Sequence, residues 1–410
     1  MNIRVIEHEN IKISRFTDVE KKIISREDAE ILHILEKEKN ISMFKWGKNK
    51  VSPKQWVGVI SLKNTTLEIL PKIADYCEES ELMNSLIFMI NTVYGLNIKY
   101  SIKSKSSLIN HGFFELLITI FLDELNLQLN QGIHKEYKKN TANICCVKGT
   151  IMFNKQLQKN LLNKNKFFCK YSTLTEDYLL NQIIKATLLH ISNFNISNRT
   201  RSKLKMQLDR LYYISDIENA LTSISKLCFN RNNERFRTTI SYCELFLNNI
   251  GFGLNCGNFK INSFLIDMNK LFERFIYKSY KKIYRNNVIY QNQKNYLLYC
   301  CSNPKVKKVN LRPDIIVKNG SDNINIIDTK WKVINNFVSS SDIYQMNSYI
   351  SGISNVKDII LLFPKNVKND NIIEDFYIKN NSSNCIKIRT IDLLEVGTHK
   401  FYTDLQEIIK

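Results

Sequence analysis

Acid is scarce in this chain: 39 Asp and Glu stand against 59 Lys and Arg, a formal net charge of +20. Such a deficit favours a polyanionic partner, either nucleic acid or an acidic membrane face. A soluble protein that is simply lysine-rich is the competing reading. The ten cysteines include no C-x-x-C and show no metal-ligand spacing. The adjacent pairs Cys145-Cys146 and Cys300-Cys301 are poorly suited to bridging, so a reduced, cytoplasmic compartment is the simplest account. No apolar run is long enough to span a bilayer. The most apolar stretch, Phe113 to Leu122, is interrupted by Glu115. The first ten residues carry Arg4, Glu7 and Glu9 and no apolar core, so a signal peptide is not expected. There is no phosphate-binding loop, so this chain is not expected to bind nucleotide itself. Internal repeats and long low-complexity tracts are missing too.

What is present reads as globular. The 410 residues are 44% hydrophobic and 24% charged, which suits two or three domains. Near the start, Ile3 to Ile6 and Lys12 to Ser14 alternate as short strands. Ser25 followed by Asp28 announces a helix over Arg26 to Glu38. Trp56 to Ile60 and Thr66 to Leu70 read as strands, closed by Pro71. From Glu81 to about Leu129 the apolar spacing turns helical. Residues 131–210 are the basic part, with 15 Lys and Arg against 4 Asp and Glu, and with Tyr137, Phe153, Phe167, Phe168 and Tyr171 interleaved. This stretch is read either as a surface for a phosphate backbone or as a solvated helical spacer.

The last 150 residues carry the chemistry. The apolar stripe Met268, Leu271, Phe272, Phe275, Ile276 and Ile283 predicts a helix from Asp267 to about Arg285, with Glu273 on its flank. Two β-rich runs follow, Val309 to Lys318 and Ile324 to Lys332, around the turn residues 319–323. If they form an antiparallel hairpin with that loop, facing residues have numbers that sum to 642. Asp314 then faces Asp328, with Cα atoms roughly 4.5–5.5 Å apart. Two carboxylates so close repel unless a cation joins them, and oxygen ligands with room for water suit Mg²⁺ or Mn²⁺. Lys330 projects to the same face as Asp328. Thr329 points away, leaving its backbone carbonyl as a further ligand.

These residues resemble a known pattern. Arg312-Pro313-Asp314 followed by Asp328-Thr329-Lys330-Trp331-Lys332 resembles the PD-(D/E)xK nucleases. Several further segments resemble the McrC family, the nuclease subunits of McrBC-type, 5-methylcytosine-specific restriction systems. They are Trp56 to Ile60, Leu67 to Ile73, Lys148 to Ile151, Asp177 to Asn181, Phe264 to Glu273 and Asp342 to Tyr349. One departure is Lys148, where the family more often has Arg.

The resemblance implies an α+β or mixed fold: a small mixed N-terminal domain over 1–110 that docks a partner, a helical, basic middle region over 111–255, and an α/β/α nuclease domain over 256–410. It implies that the partner is a hexameric McrB-like AAA+ GTPase, that DNA is cut, and that the nuclease domain pairs with another copy during cleavage. No membrane partner is implied. Asp314 and Asp328 would ligate the metal with Thr329. Lys330 would be the catalytic lysine, Glu273 the acid from the first helix, and Gln345 a further site residue. The competing reading is a regulatory subunit that mainly activates the GTPase and has little nuclease activity.

Overall fold

A computed structural model describes residues 2–63, 65–73, 78–96, 112–256, 259–303, 305–319, 323–332, 334, 338–365, 374–378 and 381–410. It divides into two units, Met1–Phe114 with Gly251–Lys410, and Glu115–Ile250. The expected first and last domains are therefore one compact unit, while the middle one stands by itself.

The chain opens with β1 (Asn2–Ile6), β2 (Ile11–Ser14) and β3 (Ile23–Ser25), then α1 (Arg26–Lys39). The start of α1 is the cap foreseen: Ser25 accepts from the Asp28 amide while Asp28 bonds back to the Ser25 amide. The hairpin β4 (Phe44–Gly47) and β5 (Lys50–Pro53) comes next, then β6 (Trp56–Ser61), β7 (Thr66–Leu70) and α2 (Glu79–Tyr94). Ile3, Val5, Leu32, Leu35, Val51, Ile60, Leu67 and Ile69 close a core between α1 and these strands. Its apolar side chains leave water, which is the main favourable term in such a small layer.

In the second unit the expectation of a helical region needs correction. α3 (Phe113–Asn130) leads into β8 (Glu136–Ile144), β9 (Thr150–Ile151), α4 (Phe153–Asn160) and β10 (Phe167–Thr175). β10 pairs antiparallel with both β8 and β9. Alternation was present there, but as exposed polar residues such as Lys139, Thr141, Asn143 and Ser172, so no apolar stripe announced it. α5 (Leu179–Ser192), α6 (Asn198–Arg210), α7 (Ala220–Ile224) and α8 (Arg237–Asn249) complete the unit. Glu115, the acid that interrupts the apolar run, is buried and accepts from Thr200 Oγ1 at 2.7 Å and from Ser197, the N-cap of α6. A buried carboxylate with several donors is tolerated where a bare one is not.

Back in the first unit, β11 (Ile250–Cys256) and β12 (Phe259–Asp267) complete a five-stranded sheet in the order β1-β7-β6-β12-β11. A boundary at 255 therefore falls inside one sheet. α9 (Met268–Tyr284) follows, then β13 (Val288–Tyr290), the ribbon β14 (Asn295–Tyr299) and β15 (Lys307–Leu311), then β16 (Ile315–Asn319) and β17 (Asn323–Thr329). α10 (Ser340–Gly352), β18 (Val356–Pro364), β19 (Glu374–Ile378), β20 (Asn381–Ile391) and α11 (His399–Ile409) end the chain. A six-stranded sheet runs β13-β16-β17-β18-β20-β19. α10 covers one face through Met346 and Tyr349 against Ile316, Ile326, Ile359 and Leu361. α11 meets the other face, where Asn325 donates to the Ile409 carbonyl at 3.0 Å. α9 packs there too, through the ring contacts Phe275–Phe401 and Phe272–Trp331. The outcome is the mixed α/β architecture expected.

Gly58 explains one of the sequence segments. Its φ is +142°, and a Cβ there would meet the Phe264 carbonyl oxygen of β12 at 2.0 Å. Only glycine suits both the backbone and the approach of the neighbouring strand. Gly58→Ala is expected to destabilise the protein by about 2 kcal/mol or more, read as a lower midpoint in chemical denaturation. A midpoint equal to wild type would show that the sheet relaxes freely at this crossing.

Candidate active site

The hairpin register is the one deduced: Ile315 pairs with Ile327 and Lys318 with Ile324, so the series extends to Asp314 opposite Asp328. The first run, however, is not one strand. β15 and β16 lie in different sheets, separated by Arg312-Pro313-Asp314. Proline lacks an amide donor and drives its predecessor from regular pairing, so the chain leaves one ribbon and enters the next there.

The structure brings Asp314, Asp328, Thr329, Lys330 and Gln345 together. The Thr329 amide donates to Asp314 Oδ2 at 2.8 Å and its hydroxyl does so at 2.9 Å. The Thr329 side chain therefore does not point away; it holds Asp314. Lys330 pairs its ammonium with Asp328 Oδ1 and donates to Gln345 Oε1 at 2.9 Å. Gln345 Nε2 donates to the Tyr349 hydroxyl at 2.9 Å, and that hydroxyl donates to the Arg312 carbonyl at 3.1 Å. The network thus closes from β17 through α10 to the segment that carries Asp314. Ser339 caps α10 by accepting from Asp342, whose carboxylate takes Lys332 at 3.0 Å.

Glu273 is linked to this group through Gln291. The Asp267–Glu273 block reads as a helix start in physical terms: Asp267 caps α9 by accepting from Asn269, and Met268, Leu271 and Phe272 are buried. Glu273 Oε1 accepts from Gln291 Nε2 at 2.6 Å. Gln291 also donates its amide to the Asp314 carbonyl at 2.9 Å and accepts from the Arg312 guanidinium. Its φ of +45° is unusual for glutamine. Among the described residues no group of three or more His, Cys, Asp or Glu is placed to hold a metal.

Burial dominates the electrostatics. It pushes Asp328 up to about 7, and the charge of Asp314 adds to that. Burial and then Glu273 push Asp314 up to about 6, against the Thr329 hydrogen bonds. Burial also disfavours the Lys330 ammonium, but Asp328 and Asp342 outweigh it and hold Lys330 above its ordinary range. Two facing carboxylates, one almost wholly buried, with too little positive charge between them form a donor set for a small hard cation. Asp328 Oδ2 supports that fit, since it is buried and has no satisfied hydrogen bond among the described residues.

The family model for the McrBC 5-methylcytosine restriction system component matches residues 51–364, a span that contains every one of these residues. The chain belongs to this family. It is 27% identical over 240 residues to the type IV methyl-directed restriction enzyme EcoKMcrBC of Escherichia coli (strain K12), covering 55% of this chain and 68% of that protein. Its fold is similar to a chain in the half-complex of Thermococcus gammatolerans McrB AAA+ hexamers with bound McrC, with a TM-score of 0.69, 20% identity and 99% of each chain covered. A chain of the Thermococcus gammatolerans McrBC complex matches with a TM-score of 0.52 and 22% identity, over 71% of this chain and 90% of that one. At these identities the two structural matches speak for the fold.

Three residues of this McrBC-family chain escaped the sequence. Gln291 sits at a strand end with no pattern round it. Tyr349 is one helical turn after Gln345, a spacing that could have flagged it. Glu7 lies more than 300 positions from its partner. Trp331 Nε1, beside Lys330, donates to Glu7 Oε2 at 3.0 Å; the Lys72 amide donates to the same oxygen at 2.9 Å, and the Lys72 ammonium sits 4.8 Å from the Trp331 ring centre. Burial pushes Glu7 up to about 7 despite Lys72.

The raised carboxyls imply a pH effect on the metal-free protein. Unfolded Asp titrates near ~3.9. The folded protein retains those protons to about 6 and 7, so this stabilisation is complete below about pH 4 and is lost as pH rises through 6 to 7. In a chelator, wild type is expected to lose more thermal stability than Asp328→Asn between pH 5 and 8. Mg²⁺ or Mn²⁺ at pH 8 is expected to restore wild type alone. Parallel melting-temperature curves for the two proteins would refute the buried carboxylate pair.

Proposed function

We propose that this chain is the endonuclease subunit of a modification-dependent restriction system, cutting DNA phosphodiesters with a divalent cation in concert with a hexameric AAA+ GTPase. The observation that carries this reading is the convergence of Asp314, Asp328 and Lys330 at one end of the β16–β17 hairpin, with Gln345 reaching in from α10. The placement of these residues on a sheet flanked by helices suits the PD-(D/E)xK pattern. Membership of a 5-methylcytosine restriction family supports modified DNA as the substrate. The Thermococcus gammatolerans assembly of McrB AAA+ hexamers with bound McrC, similar in fold over 99% of the chain, supports the partner.

Asp314, Asp328 and the Thr329 carbonyl would hold Mg²⁺ or Mn²⁺, which when bound polarises a phosphodiester and lowers the pKa of water. The protein's own groups do the rest. Lys330 places a fixed positive charge where negative charge grows on the phosphate. Gln345, itself oriented by Tyr349, sets the direction of that ammonium. Thr329 fixes the Asp314 carboxylate through two hydrogen bonds. Glu273 raises the local negative charge from its place on α9 and is positioned by Gln291.

With the GTPase partner, GTP and Mg²⁺, Asp328→Ala is expected to abolish cleavage of methylated DNA while the protein still co-elutes with the GTPase. Lys330→Ala is expected to cost roughly 10²–10³ in single-turnover rate, and Gln345→Ala about 10² through loss of orientation. Wild-type cutting by Asp328→Ala or Lys330→Ala would leave the chain as an activating subunit whose nuclease site lies elsewhere.

A further inference from the structure

The β14–β15 ribbon belongs to neither large sheet, and the site network does not use its tip. It is a two-stranded antiparallel element of its own, with Tyr296 facing Asn310, Leu298 facing Lys308 and Tyr299 facing Lys307. From residue 291 to 312 the chain has Lys294, Lys305, Lys307, Lys308 and Arg312 and no Asp or Glu. All five cations are exposed, and none forms an ion pair with a carboxylate among the described residues. Elsewhere in the same unit lysines do have acid partners, as Lys332 has Asp342 and Lys387 has Asp358. Apolar side chains stand exposed among these charges: Leu298 at 53%, Tyr299 at 54% and Val309 at 54%. The Lys307 ammonium lies 5.3 Å from the Tyr296 ring centre and 5.7 Å from that of Tyr299. Unpaired like charges on so small an element repel one another, so the arrangement is stabilised by an external anion.

The base of the ribbon is firmly held. Leu311 is buried with Met346 and Tyr349 of α10, and Leu297 packs against the same cluster. Gly352 makes room for this, since a Cβ there would come within 2.3 Å of Leu311 Cδ1. The helix that orients Lys330 through Gln345 is thus the helix that anchors the ribbon. One strand then runs through Arg312 and Pro313 into Asp314. Lys307 and Asp314 are seven positions apart, so at most ~23 Å of chain separates them. That is roughly seven base pairs of duplex at ~3.4 Å each. A two-stranded ribbon is also an element that the major groove of DNA admits.

We propose that β14–β15 is a duplex-DNA contact that lies along a groove beside the phosphodiester offered to Asp314 and Asp328. This rests on the reading of the chain as a DNA nuclease and adds to it the element that registers the duplex. Lys305, Lys307 and Lys308 meet the phosphates, while Leu298 and Tyr299 meet sugar and base edges.

The test is DNA binding by the full chain, followed by fluorescence anisotropy of a labelled methylated duplex in chelator over a range of salt. Each phosphate contact contributes about 0.9 to the slope of log affinity against log salt. K305Q/K307Q/K308Q is expected to flatten that slope by about 2 to 3 and to weaken binding at 0.1 M salt on the order of 10²-fold. K45Q/K48Q/K50Q, which neutralises the exposed lysines of the β4–β5 hairpin, is expected to keep the wild-type slope. An unchanged slope in the first variant overturns the proposal, and so does an equal loss in both. Retained DNA affinity with lost binding of the GTPase would make the ribbon a protein contact and overturn it too. The two readings fail separately. Wild-type cleavage with an unchanged slope sinks the ribbon alone, whereas no wild-type cleavage with a flattened slope sinks the nuclease and leaves the ribbon.

Discussion

Asp314 and Asp328 meet at the end of adjacent antiparallel strands, where burial makes both harder to ionise; the charge of Asp314 adds to that at Asp328, and Glu273 adds to it at Asp314. The neighbouring side chains answer that repulsion. Thr329 places two donors on one carboxylate, and Lys330 places its ammonium on the other. Gln345 and Tyr349 then hold the lysine from a second element, and the Arg312 carbonyl ties that element back to the first. A buried carboxylate pair with one ammonium carries an excess of negative charge, the condition under which a hard divalent ion binds well. The same excess makes the neighbourhood hostile to other anions. Positive charge next to the site, on Arg312 and the β14–β15 ribbon, offsets that over a longer range.

The strand β17 that carries Asp328 is not an isolated module. Trp331 follows Lys330 directly, and its indole is held by Glu7 at the end of β1. Lys72, just past β7, donates to the same carboxylate. β12 supplies a strand to the N-terminal sheet and then the cap of α9, the helix that carries Glu273. The first seventy residues and the site therefore share backbone hydrogen bonds and a buried polar contact. Removing one member of a buried polar contact costs more than the contact contributes, because its partner is left unsatisfied.

Where the signal was local, the sequence was legible. Ser25 and Asp28 cap α1 as their spacing says. The stripe of Met268 to Ile276 is a helix, and β16 and β17 pair in the register that sets the two aspartates opposite each other. Where the signal was distant or lacked an apolar face, it failed. β8 and β10 alternate exposed polar residues, which a hydrophobic reading takes for a solvated spacer. Arg312-Pro313 divides a run of β-branched residues into two sheets, a break that the proline announced but composition hid. The Thr329 hydroxyl turned toward Asp314, since β17 ends at that residue and strict alternation ends with it.

Sequence alone determined the facing aspartates and the lysine two positions on, because pairing register is set by turn length and by a side-chain period of two. It also determined the capped helix bearing Glu273 and the positive charge. Tertiary structure decided which distant groups complete the site: Tyr349 from α10, Gln291 from a strand end, and Glu7 on Trp331. It also decided that residues 1–114 and 251–410 are one unit. The physical reason is loop closure: contacts across hundreds of residues are selected by burial and hydrogen-bond satisfaction in the folded state, and no local spacing in the chain encodes them.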